Sequence, residues 1–90
     1  MITAFKINTV KQTYYFSDLP QAVVKDQKNY GLRWTRGVEE EIKHELGEFL
    51  NTRWTPLGLD NTMKLDVEVE EHQAEDLSSL LKNMYNAELR

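Results

Sequence analysis

Apolar and polar positions alternate most strictly in TMKLDVEVEEH, residues 62–72. Met63, Leu65, Val67 and Val69 interleave there with Lys64, Asp66, Glu68 and Glu70. A period of two is the repeat of a strand with one buried face. A strand is therefore predicted over 62–71, with its acids turned to water. ITAFKI (residues 2–7) alternates more weakly, carrying Phe5 and Ile7 on one side. QTYYFS (12–17) is aromatic and β-prone, so it predicts a second strand. NTVK would link the two in a hairpin, without the glycine of a tight two-residue turn.

Helical spacing follows. DLPQAVVKDQKNYG (18–31) predicts a short helix, with Asp18 and Gln21 as a capping box, Pro20 in the first turn and Gly31 as the stop. LRW after it reads as a short edge strand or a connection. In RGVEEEIKHELGEFLNTRW (36–54) the apolar residues Val38, Ile42, Leu46, Phe49, Leu50 and Trp54 recur at helical spacing, which predicts a central helix. Glu39, Glu40 and Glu41 would then lie near its start, where the helix dipole favours acids, and Gly47 in its middle. TPLG ends it. A last helix is predicted over 75–89, with Leu77, Leu80, Leu81, Met84 and Tyr85 on one face.

The order β–β–α–(β)–α–β–α implies an α+β fold: a small, mostly antiparallel sheet with two to three helices packed on one face. Ninety residues suit one domain. A chain this short buries only about 60–65% of its unfolded surface, so a partner or a second copy would add useful stability. No apolar run nears a membrane span, and MITAFKINTVKQ lacks the pattern of a secretory signal. With no cysteine as well, a cytoplasmic protein is expected.

Charge changes the picture. The net value of −4 hides a division: residues 1–36 hold six Lys or Arg against two acids, whereas residues 37–90 hold five against thirteen. Such polarity along a chain can become polarity across a fold. Exposed charges on a strand also block edge pairing with other chains, but either sign would serve. That leaves the excess of acids unexplained by folding alone.

Candidate chemistry is sparse. No glycine-rich phosphate loop is present, and neither histidine neighbours a convincing nucleophile. EIKH (Glu41 to His44) has Glu-x-x-His spacing, but a di-metal site needs a second such motif. Neither catalysis, nor a cofactor, nor a bound metal is expected. Lys6, Lys11, Lys25, Lys28, Arg33 and Arg36, with Tyr14, Tyr15, Tyr30 and Trp34, are the ingredients of a nucleic-acid surface. They are spread over about thirty residues of a net-acidic chain, so direct nucleic-acid binding ranks low.

The leading expectation is a non-enzymatic regulator or inhibitor that presents an acidic face to a basic site on a partner protein. That site could be one that normally holds nucleic acid, since alternate strand acids and duplex phosphates have comparable spacings. The expected contact residues are Glu40, Glu41, Glu45, Glu48, Asp66, Glu68 and Glu70, with Trp34 as an aromatic anchor. Size and charge alone associate such a chain with accessory proteins of phages and mobile elements. The alternatives are an assembly role through homodimerisation, and a nucleic-acid module built on the basic N-terminal third.

Overall fold

The computed structural model describes residues 8–49, 51–58 and 60–89. In chain order these form β1 (Thr9–Phe16), α1 (Gln21–Lys25), α2 (Tyr30–Leu46), β2 (Asn51–Pro56), β3 (Met63–Glu70), a 3-10 turn (Glu71–Gln73), α3 (Ala74–Tyr85) and β4 (Glu88–Leu89). The sheet order is β2-β3-β1-β4, antiparallel throughout. The α+β class and the helices on one face agree with the sequence reading.

The alternating strand is the anchor. Met63, Leu65, Val67 and Val69 are buried, while the intervening residues keep partial exposure. Tyr14 and Phe16 of β1, Val38 and Ile42 of α2, and Leu77 and Leu81 of α3 complete one apolar cluster with them. Both long helices therefore cover the Leu65 face of the sheet.

Several boundaries differ from the sequence reading. ITAFKI, with Phe5, Ile7 and Lys6, lies outside the described residues, as does Leu50. NTVK is no turn: residues 9–11 already belong to β1. Asp18 caps nothing. It adopts a left-handed backbone (φ 56°) and donates its N–H to Asp60 O at 3.1 Å, which ties it to the β2–β3 loop. Pro20 takes the cap position of α1.

LRW is helical, because α2 begins at Tyr30. Gly31 is consequently no stop. A Cβ there would lie 2.5 Å from Val23 O and 3.0 Å from Asp26 O, so only glycine lets the end of α1 lie this close to α2. The buried stripe Gly31, Thr35, Val38, Ile42 keeps helical spacing from the first turn.

Nor does α2 run to Trp54. It ends at Gly47 (φ 90°, ψ −164°), a conformation that essentially only glycine adopts. Phe49 and Trp54 thus leave the helix. Trp54 sits on the inner side of β2, opposite Leu65, and reaches the core from the sheet. Glu39, Glu40 and Glu41 fall in mid-helix, away from the first turn. The last helix stops at Tyr85, where Asn86 turns left-handed (φ 55°) and lets β4 join β1.

Candidate functional site

Among the described residues, the outer face of the sheet carries no helix. Its cross-strand rows place Asn51 and Lys11 on either side of Glu68, Arg53 and Thr13 beside Asp66, and Thr55 and Tyr15 beside Lys64. Thr9 faces Glu70. Strand acids that repel along the chain are thus separated across it by donors and cations. Thr13 Oγ1 donates to Asp66 at 2.7 Å, and Lys64 Nζ stands 3.7 Å from its other oxygen. Glu68 accepts from Asn51 Nδ2 and Thr9 Oγ1, each at 2.9 Å. Those two bonds hold its carboxyl below the usual carboxylate range, with a smaller contribution from the charge of Lys11. His72 bonds Glu70.

Lys11, Thr13, Asn51, Arg53, Asp66 and Glu68 line a shallow hollow of about 620 Å³ on this face. Across β1, β2 and β3 the outward residues include three cations, Lys11, Arg53 and Lys64, against Asp66, Glu68 and Glu70. Across these three strands the face is zwitterionic, not acidic.

The acids gather elsewhere. Gln73 Nε2 donates to Leu46 O at 2.9 Å, fastening the start of α3 to the end of α2. Glu45 and Glu48 on one side, and Glu71, Glu75 and Asp76 on the other, are all exposed there. Glu70, the last residue of β3, borders this end from the outer face of the sheet, bonded to His72. Few cations intervene: the Lys43 ammonium lies over the Phe49 ring, 5.7 Å from its centroid.

Expected contact residues are accordingly divided. Glu45 and Glu48 lie at this acidic end, and Glu70 ends β3 beside it on the outer face of the sheet. Glu40 and Glu41 lie further back along α2, and Glu41 stands close enough to Tyr85 to reinforce the upward shift that burial gives its phenol. Asp66, Glu68 and Glu70 point to the opposite side of the sheet from α2, so the helix and strand acids do not share a face.

Trp34 lies at the other end of α2. It is partly buried, packed edge-on against Phe16 at 5.5 Å, and close to Trp54 and Tyr85. Its remaining surface opens onto a hollow of about 240 Å³ shared with Tyr30 and Arg33. Glu39 fixes the middle of the helix to the sheet edge, accepting from Trp54 Nε1 at 2.8 Å and Thr52 Oγ1 at 3.1 Å.

The buried hydroxyl of Tyr14 contacts Ser78 Oγ at 2.8 Å and bonds Gln12. Burial raises its pKa and the Ser78 contact partly offsets this. A neutral phenol follows at ordinary pH, suited to packing. Among the described residues no three of His, Asp or Glu converge to hold a metal ion. Nor is any helix of the described residues long and apolar enough to cross a membrane.

Sequence reasoning missed the donors Thr9, Thr13 and Asn51, whose meaning depends on cross-strand register. Their one visible signal was Thr9 and Thr13 on the polar side of an alternating stretch. Set against known proteins, no family model matches this chain, and no curated protein or solved structure matches it either.

Proposed function

We propose that the protein is a small, non-catalytic cytoplasmic regulator that docks its acidic end onto a basic site of a protein partner. The gathering of Glu45, Glu48, Glu71, Glu75 and Asp76 where the start of α3 is fastened to the end of α2 carries this reading, with Glu70 at the adjoining strand end. Acids in the first turn of α3 have a structural reason, because the helix dipole favours them there. Glu45 and Glu48 lack that reason: they stand at the carboxyl end of α2, where the dipole disfavours negative charge. A concentrated field of one sign speeds encounter with a basic surface and excludes acidic ones. A site built for nucleic-acid phosphates is the kind of surface it suits.

Capture from cell lysate tests this. A partner retained at low salt should be released at high salt and lost with Glu45→Lys/Glu48→Lys/Glu70→Lys. Asp66→Lys/Glu68→Lys should matter less, since Lys11, Arg53 and Lys64 already stand beside those acids. Retention through salt and through the triple reversal would overturn the acidic-end reading. It would favour homodimerisation instead, for which β2 supplies a sheet edge unpaired among the described residues.

A further inference from the structure

We infer that the corner where α1 meets the start of α2 is a binding site for single-stranded nucleic acid. Lys25, Lys28, Arg33 and Arg36 would neutralise phosphates there, and Tyr30 and Trp34 would stack a base. The inference is independent of the acidic end.

The corner is made by backbone proximity. Gly31 N–H donates to Asp26 O at 2.7 Å, and the missing Cβ of Gly31 admits Val23 O, so the end of α1 abuts the first turn of α2. Lys25 is the last residue of α1 and Lys28 lies in the link. Arg33 and Arg36, three apart, share one side of α2. What the sequence spreads over a dozen residues, the fold draws to one place.

All four cations are exposed. None forms an ion pair or side-chain hydrogen bond among the described residues. The nearest acid in sequence, Asp26, turns an oxygen to the backbone N–H and side-chain amide of Asn29. Asp18 and Asp60 lie beyond the other end of α1. Glu40 stands one turn past Arg36, with no ion pair between them. The first turn of α2 contains no acid, and the side chain of its cap residue Asn29 bonds Asp26 and caps none of the helix amides, although that helix end would reward both. Helix stability therefore does not explain a cluster of cations at this position.

The aromatic half has its own geometry. Tyr30, Arg33 and Trp34 line the hollow of about 240 Å³. Phe16, Trp54 and Tyr85 brace the Trp34 ring from within, so it forms a fixed platform, while Tyr30 is 47% exposed. A guanidinium beside two rings and open to solvent, with three more exposed cations on the α1–α2 corner, suits an unstacked base and its flanking phosphates. In a duplex the bases are not available for such stacking. An acidic peptide would use the cations but leave the rings idle.

The test is fluorescence anisotropy of the full chain with labelled oligothymidylate and oligouridylate of about 12 nucleotides. Affinity should fall with salt, with a log–log slope approaching about −3 if all four cations contact phosphates. Arg33→Glu/Arg36→Glu and, separately, Lys25→Glu/Lys28→Glu should each weaken binding at least about tenfold. Tyr30→Ala should cost about fivefold or more. Lys11→Glu/Lys43→Glu, with the same charge change elsewhere, should leave most of the affinity. Absence of binding, or equal loss in that control, would overturn the inference. So would a polyglutamate peptide that competes as well as the oligonucleotide while Tyr30→Ala has no effect.

Discussion

The two ends of α2 are opposites joined by one rigid rod. At its amino end the chain presents Lys28, Arg33 and Arg36 beside exposed and half-exposed rings. At its carboxyl end it presents Glu45 and Glu48, joined by the acids that open α3. The helix dipole would favour the reverse at both ends, apart from Lys43 and His44 in the last turn. Each end is nevertheless well fixed, one by the Gly31 contact with α1 and the other by Gly47 and the Gln73 bond. Backbone and core place the helix, and the charges then work somewhat against it. Charge that costs stability where it stands is better explained by what it meets than by what it holds together.

Breaking the amino-end joint should have the largest effect. Gly31→Ala brings a methyl carbon to 2.5 Å from Val23 O, and both nearest atoms are backbone, so α1 must move. We expect a loss of about 3 kcal/mol, at the upper part of the range for overpacking. A urea denaturation midpoint would measure it. An unchanged midpoint would show that the α1–α2 corner is not the close contact described. Because that corner positions Lys25 and Lys28, oligonucleotide affinity should fall with the same substitution.

The carboxyl end should be somewhat more forgiving. A Cβ at Gly47 meets nothing within 4 Å, so Gly47→Ala suffers only from its backbone angles. Strain of that kind costs about 1–3 kcal/mol. Had Gly47 been mid-helix, as its spacing suggested, the same change would instead stabilise by about 1 kcal/mol. The sign of the shift in thermal midpoint therefore separates a helix that stops at Leu46 from one that continues to Trp54.

Those two glycines show why the sequence was only partly legible. The stripe Met63, Leu65, Val67, Val69 was plain because strand period is local, and it predicted both the core face and the class of fold. Gly31 and Gly47 were misread in opposite directions. A glycine that ends a helix and one that admits a neighbour look alike until the neighbour's carbonyl is located. Trp54 misled for a related reason, since four-residue spacing from Leu50 fits a helix while its inward place on β2 depends on pairing with Leu65. Site residues fared similarly. The division of charge along the chain did not say which acids would be neighbours: helix packing brings Glu45 and Glu48 near the start of α3, while the register of β3 turns Asp66, Glu68 and Glu70 to the outer face. No local pattern contains that.

Charge substitution at the amino end should have a smaller effect on stability, and of opposite sign. Arg33→Glu puts an acid in the turn where the dipole favours one, on an exposed side chain. We expect a gain of about 0.5 kcal/mol, screened away at high salt. The same variant should lose oligonucleotide affinity. Stability and binding moving in opposite directions would support a cation placed for a ligand, whereas a loss of stability would show that Arg33 serves the fold.

The smallest effect belongs to the middle of the outer sheet face, between the two ends. Bonds from Asn51 and Thr9 hold Glu68 below the usual carboxylate range, so its folded pKa lies under its unfolded one. The stability linked to this shift is present above the unfolded value, near 4.5, and is lost as pH falls through the folded value. Asn51→Ala should move the Glu68 carboxyl back towards its ordinary range. The stability difference between the two proteins should then shrink as the pH is lowered past both values. Carboxyl chemical shifts in an NMR titration would follow the residue directly. Since the leading causes are neutral donors, the depressed pKa should persist in about 1 M salt, where exposed charges hardly interact. A pKa that instead returned to normal in salt would assign the shift to Lys11, and would place Glu68 among charges that a partner's basic surface competes to bind.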